Sequence, residues 1–407
     1  MKARRLAWDI ICDVFIEGKY AGLSLKEKLT KVAEVDKGLV TEIVYGTLRN
    51  YRFLFFQFEH LLERKVDLKI KLLLALSIYQ LMYLDRVPSY AVINEAVDLA
   101  KTYKKAAFSG LVNAVLRNFI RLGSKAVTEP AIRYSFPDHI VDLINKQYNE
   151  DLTLAFLKAG NQPTVTVLRA NELKTSTKRL LRDPEFYIWE DEALRYRRDI
   201  FNSSYFKDGL VVVQDASSQA VAKWMEPKAG ERILDVCAAP GTKTAQMAAL
   251  MQNSGKIIAL DIHEHRLALL TQAMDVLGVK IVETAVLDAR EASNHYQKES
   301  FDQILVDAPC SGLGVLKGKP EIKIRLKSED MDSMVGLQRD ILSGVADLLK
   351  VGGKLTYSTC TLNLNENQNQ VKDFLASHEN YELIKQRTIW PNNRHDGFYL
   401  ASLLRKA

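Results

Sequence analysis

Residues 232–251 read RILDVCAAPGTKTAQMAALM, and the order of residue types in that stretch decides the fold. Arg232–Val236 has the aliphatic, β-branched character of a short buried strand. It runs straight into Cys237-Ala238-Ala239-Pro240-Gly241-Thr242-Lys243-Thr244 and then into a helical stretch, Ala245–Met251. Small residues in such a loop let backbone approach a ligand, and the start of the helix presents amides without intrahelical acceptors. A phosphate-cradling P-loop is excluded. It needs Gly six residues before its Lys and Gly directly before it, and Cys237 and Thr242 stand there. The GxGxxG of a dinucleotide fold is absent as well.

Working outward, strand-like runs recur at Leu210–Val213, Lys256–Leu260, Ile281–Val286, Gln303–Val306 and Lys354–Tyr357, with helical stretches between most of them. That alternation predicts an α/β domain with a mostly parallel sheet and helices on both faces. In such a sheet the site lies at the carboxyl ends of the strands. Three acids stand there. Asp261, twenty residues after Gly241, ends the next strand, where it can accept bonds from ribose hydroxyls of a nucleotide-like cofactor. Asp288 follows, within reach of an adenine edge, and Asp307 ends the strand after that.

Two of the four cysteines fall on the same rim. Cys310 sits in Asp307-Ala308-Pro309-Cys310-Ser311-Gly312 and Cys360 in Ser358-Thr359-Cys360-Thr361. A rim thiolate suits chemistry at an unreactive ring carbon. Adding to carbon 6 of a cytosine makes carbon 5 enamine-like, able to attack a sulfonium methyl. A second thiol near the ring can help remove the proton that must leave carbon 5 before the enzyme is freed. Asn363-x-x-Glu366 looks like a capping box opening a helix through Phe374, whose N-terminus would favour a thiolate at Cys360. Buried, inert thiols are the competing reading, and the better one for Cys12. Cys237 suggests cofactor contact without chemistry.

The remaining sequence divides by composition. The chain has 407 residues, 47% hydrophobic and 26% charged, enough for more than one core. Residues 1–125 are helical in pattern and carry 21 Lys+Arg against 13 Asp+Glu, whereas 126–407 carry 35 against 37. The net charge of +6 is therefore concentrated where a polyanion would touch. Lys101, Lys104, Lys105, Arg117, Arg121 and Lys125 lie in one stretch with no acid, and Tyr103 and Phe108 among them are candidates for base stacking or for packing. A helical linker at 126–160 and a small α+β unit at 161–209, expected to contact RNA, precede the sheet domain at 210–407. The N-terminal MKARRLAWDIICDVF reads as an amphipathic helix, and no stretch approaches the ~20 apolar residues of a membrane span. Few cysteines and no zinc spacing predict a reducing cytoplasm and no metal.

Together DVCAAPGTKT, LDIHEHR, VLDAR, VDAPCSGLG and YSTCTLNLNEN resemble the RNA 5-methylcytosine methyltransferases. VTEIVYGTLRNYRFL, LLLALSIYQLMYLDRVPSYAVINEAVDLAK and GLVNAVLRNFIR resemble the NusB-like RNA-binding domain. Over nearly the whole chain the combination is similar to the bacterial RsmB (Sun/Fmu) family, which modifies a cytosine of 16S ribosomal RNA. The resemblance implies an all-α NusB-like domain and a Rossmann-like methyltransferase domain. It implies that Cys237, Ala238, Ala239, Pro240, Gly241, Thr242, Lys243, Asp261, Asp288 and Asp307 bind S-adenosylmethionine, with Asp307 also near the target base. It makes Cys360 the nucleophile and Cys310 the releasing residue, in a monomeric enzyme acting on small-subunit ribosomal RNA. The family commonly has Gly where Thr242 stands and a basic pair where Lys317-Gly318 stands. A non-catalytic antitermination protein would need neither the cysteines nor the loop. A DNA cytosine methyltransferase would place Gln after its catalytic Pro-Cys, where Ser311 stands.

Overall fold

A computed structural model of the chain describes residues 3–63, 65–104 and 108–406. Two compact units form. One comprises Met1–Pro163 with Leu316–Leu326, the other Thr164–Val315 with Lys327–Ala407.

The first unit is helical, as its periodicity predicts. Seven helices, Ala3–Glu17, Ala21–Lys28, Glu34–Arg49, Tyr51–Phe58, Leu68–Tyr83, Ser89–Lys104 and Ser109–Leu122, surround one core. Leu68–Tyr83 is apolar nearly all round and is buried accordingly, from Ile70 through Gln80 with Lys71 alone excepted. Helix Glu34–Arg49 approaches it closely at Gly46, where a Cβ would stand 1.9 Å from the Tyr79 ring. Pro130–Arg133, Asp138–Gln147 and Glu150–Gly160 follow, three helices where the sequence pattern predicts one or two. The aromatic residues of the basic stretch face inward, which is the packing reading of the two and not base stacking. Tyr103 packs edge-on against Trp8 with 5.8 Å between ring centroids, and Phe108 packs on the same core. Lys105 and the Lys104 side chain lie outside the described residues.

The excursion Leu316–Leu326 is a finding without a sequence signal, because the three lysines and one arginine of KGKPEIKIR give no mark of burial. Lys323 is instead 1% exposed. Its ammonium donates to the carbonyls of Arg49 (2.9 Å) and Tyr134 (3.2 Å) and to Asn161 Oδ1 (3.0 Å), beside the Phe136 ring face. Neutral oxygens thus do the work of a counter-ion, and burial pulls the Lys323 pKa well below its ordinary value.

The second unit opens with a small antiparallel sheet. Its strands are β1 (Leu168–Ala170), β2 (Phe186–Glu190), β3 (Ala193–Tyr196) and β4 (Val211–Val213), in the order β2-β3-β1-β4. β4, expected from sequence to belong to the parallel sheet, pairs with β1 instead. Three consecutive valines show a strand but not its neighbour.

The large sheet contains β5 (Arg232–Asp235), β6 (Lys256–Asp261), β7 (Val282–Val286), β8 (Phe301–Asp307), β9 (Leu349–Thr359), β10 (Tyr381–Ile389) and β11 (Phe398–Arg405). Their order is β10-β11-β9-β8-β5-β6-β7. β5 to β9 are parallel, whereas β11 and β10 add an antiparallel edge that the sequence reading missed. β11 is buried at all but one position, so its apolar run shows no alternation to mark it as a strand. The chain order reverses between β5 and β8, which opens a crevice at their carboxyl ends.

Candidate active site

The loop after β5 enters helix Thr242–Leu250 through Gly241, whose φ is +95°. An L side chain is strained there, and a Cβ would stand 2.7 Å from Leu270 Cγ. Gly241 has no side chain to cap the helix, which leaves the first-turn amides without intrahelical partners at the carboxyl end of β5. Opposite them, Asp261 ends β6, 5% exposed, accepting from the His263 amide (3.0 Å) and paired with Arg266 (3.2 Å). Arg266 also donates to the Ala239 carbonyl at 2.8 Å, tying the loop to this acid. Asp288 follows β7 and is gripped by Arg290, whose hydrogen bonds hold its carboxyl below the usual carboxylate range. Beneath the loop, Asp235 is fully buried and accepts from Thr244 Oγ1 at 2.7 Å. Loss of hydration pushes its carboxyl up to about 7, the Thr244 bond notwithstanding.

The two rim cysteines meet. Cys310 and Cys360 Sγ lie 3.2 Å apart, and the Cys360 amide donates to Cys310 Sγ at 3.3 Å. The Cys360 contact and burial both push the Cys310 thiol well above its ordinary pKa. Asp307 is fixed beside them from both sides. Lys243 Nζ reaches Oδ2 at 2.6 Å and Ser358 Oγ donates to Oδ1 at 2.7 Å. Burial works against the Lys243 ammonium, but the charge and hydrogen bond of Asp307 outweigh it and raise its pKa. The Phe398 ring lies 5.2 Å from Lys243 Nζ. Lys243, read from sequence as part of the cofactor loop, therefore points at the carboxylate next to the cysteines. Cys237 is half-buried, and desolvation raises its thiol pKa steeply. Cys12 packs on the helical core with its thiol at about 12.

The expected capping box is not formed. The helix begins at Gln368, and its cap, Asn367, makes no side-chain capping bond. Glu366 has another task. Fully buried, it accepts from Ser311 N (2.8 Å), Ser311 Oγ (2.5 Å), Asn363 Nδ2 (3.0 Å) and Gln338 Nε2 (3.1 Å). Four donors fill both oxygens and bind the Cys310 loop to the Cys360 loop. The signal was present in Asn363-x-x-Glu366, but the partner lies 55 residues away. Ser358 and Phe398 carried no local signal at all.

A parallel sheet with an antiparallel edge, a small-residue loop after its first parallel strand and acids at successive strand ends define the Rossmann-like methyltransferases. Residues 222–404 match the family model described as 16S rRNA methyltransferase RsmB/F, and residues 1–121 match the NusB family. A probable ribosomal RNA small subunit methyltransferase B of Bacillus subtilis is 35% identical over 398 residues, 93% of this chain and 89% of that one. The ribosomal RNA small subunit methyltransferase B of Escherichia coli K12 is 32% identical, covering 99% and 98%. The crystal structure of PH0851 shares the fold with a TM-score of 0.83 at 23% identity, over 100% of this chain and 99% of that one. The chain belongs to the ribosomal RNA small subunit methyltransferase B family, whose cofactor is S-adenosylmethionine. No helix among the described residues is long and apolar enough to cross a membrane.

Proposed function

We propose that the chain methylates carbon 5 of a specific cytosine in 16S ribosomal RNA, in the cytoplasm, through a covalent bond between Cys360 and the base. The observation that carries this reading is the pair of sulfurs 3.2 Å apart beside an Asp307 held by Lys243 and Ser358. A site that only transferred a methyl to an already nucleophilic atom would need no thiol, and this one has two.

The donor set fits S-adenosylmethionine. First-turn amides behind Cys237, Ala238, Ala239, Pro240, Gly241, Thr242 and Lys243 suit its carboxylate. Asp261 suits the ribose hydroxyls, Asp288 the adenine edge, and Asp307 the positive end. When bound, the cofactor supplies an electrophilic methyl group. The chain's own residues do the rest. The Cys360 sulfur adds to carbon 6 as a thiolate, so that electron density builds at carbon 5. Asp307 and Lys243 form a polar pair against which the cytosine's edge is oriented, over Phe398. Cys310, its proton held by burial and by its neighbour, hydrogen-bonds to Cys360 before attack. After methyl transfer, Cys310 first gives up its own thiol proton to water and then, as thiolate, takes the proton from carbon 5, while the Cys360–carbon 6 bond breaks with its electron pair returning to the Cys360 sulfur and aromaticity is restored.

Bisulfite sequencing of ribosomal RNA from a strain lacking this gene tests the assignment. One small-subunit cytosine, protected in the parent, should become convertible. An unchanged pattern would remove the proposed target.

A further inference from the structure

The outer face of the small sheet carries an arrangement unrelated to its core. Side chains alternate along strands, so Tyr187 and Trp189 leave β2 on one face while Phe186 packs on the other. Arg195, opposite Tyr187 in the register, shares that outer face, as does Arg197 two residues on. The guanidiniums and rings interleave. Arg197 lies 4.8 Å from the Tyr187 centroid, Arg195 lies 5.8 Å from Tyr187 and 4.7 Å from Trp189, and Arg394 lies 5.8 Å from Trp189. The ladder is thus Arg197–Tyr187–Arg195–Trp189–Arg394. Among the described residues, none of its three arginines is within ion-pair distance of a carboxylate, and Arg195 Nε is buried without a hydrogen-bond partner. Three unneutralised guanidiniums in one row are unfavourable for an isolated surface and favourable for a polyanion.

The last rung leads to the cysteines. Trp189 Nε1 donates to the Arg394 carbonyl at 2.8 Å, and Arg394 Nη1 donates back to the Trp189 carbonyl at 3.3 Å. Three residues later the Gly397 amide donates to the Gly314 carbonyl, and the Gly314 amide to the Cys360 carbonyl, both at 2.8 Å. Three residues of chain span at most ~11 Å. The next residue is Phe398, under Lys243.

We propose that this arginine–aromatic ladder holds the single-stranded RNA that flanks the target cytosine, with phosphates on the guanidiniums and bases stacked on the exposed guanidinium planes. The proposal rests on the reading of the substrate as RNA and adds the surface that holds it beside the site. Unpaired bases stack on aromatic rings and arginine planes, whereas in an A-form duplex the base faces are stacked on one another and not open to these side chains. Stacking on the rings keeps each guanidinium flat and pre-ordered, which lowers the entropy lost on binding.

Fluorescence anisotropy with a short unstructured oligoribonucleotide measures the contact directly, independent of methylation. Full-length protein carrying Arg195→Gln, Arg197→Gln and Arg394→Gln should bind it more weakly. Its salt dependence should be shallower by about 2 in log–log slope, at about 0.7 per single-strand phosphate contact. Affinity for S-adenosylmethionine should be unchanged. Should the Arg195 change unfold the hairpin, the pair Arg197→Gln and Arg394→Gln, both exposed, should still flatten the slope by about 1.4. An unchanged slope and affinity would overturn the proposal and leave the ladder to another partner. Equal loss of binding for a blunt duplex of the same sequence would overturn the single-strand assignment. If the wild type methylated no RNA, the proposed function would fall while this binding test still gave its answer.

Discussion

Asp307 holds more of the geometry than its place at a strand end suggests, since each of its oxygens has a different partner from a different element. Asp261 and Asp235 are separable in the same way, one proposed to hold the cofactor and the other buried in the fold. Asp261→Ala removes a charged acceptor from the ribose edge, so calorimetry should show S-adenosylmethionine binding weakened by about 1.5–3 kcal/mol. Equal affinity would remove the ribose contact. Asp235 makes a pH prediction. Its folded pKa of about 7 exceeds the ordinary 3.8, so the folded state binds the extra proton. Its contribution to stability is complete below the ordinary carboxylate pKa and is lost as pH rises through about 7. Relative to Asp235→Asn, the wild type should therefore lose melting temperature between acidic and mildly alkaline pH. A constant difference across that range would show that the carboxyl is charged throughout.

At the scale of elements, the two cysteine loops behave as one piece because Glu366 joins them. Glu366→Ala would orphan donors from Ser311, Asn363 and Gln338, at roughly 1–3 kcal/mol for each that stays buried. Urea unfolding should show a loss of several kcal/mol, and methyl transfer should fall while cofactor affinity, proposed to be set by the loop after β5, remains. Unchanged stability would mean the loops are held elsewhere. These elements also show what a sequence can reveal. The strand–loop–helix at 232–251 was legible because a buried parallel strand, a glycine with positive φ and a helix start each leave local marks. Glu366 was legible as a polar anchor but assigned to the wrong partner, since a capping box and a bond to a distant loop begin with the same residues. Lys323 was illegible, because the three oxygens that make its burial tolerable come from Arg49, Tyr134 and Asn161.

The whole molecule joins a helical unit with excess positive charge to a catalytic unit with nearly balanced charge. Arg117 and Arg121 are exposed on helix Ser109–Leu122, their side chains donating to Asn113 and Asn118. Replacing both with Gln should flatten the salt dependence of ribosomal RNA binding by about 1.4–1.8 in log–log slope. An unchanged slope would mark them as solvated surface. The charge asymmetry was visible in the sequence, but the choice between stacking and packing for Tyr103 and Phe108 was not, because helical spacing alone does not say which neighbours a face will meet. The central claim concerns the complete reaction, in which two thiols in contact have opposite duties. Incubate Cys310→Ala and Cys360→Ala separately with S-adenosylmethionine and small-subunit ribosomal RNA, and resolve the products on a denaturing gel. Cys310→Ala should still attack and methylate but release slowly, leaving a slow-migrating protein–RNA band. Cys360→Ala should give neither band nor methylation. A band from Cys360→Ala would reverse the roles, and full turnover by both variants would contradict cysteine catalysis altogether.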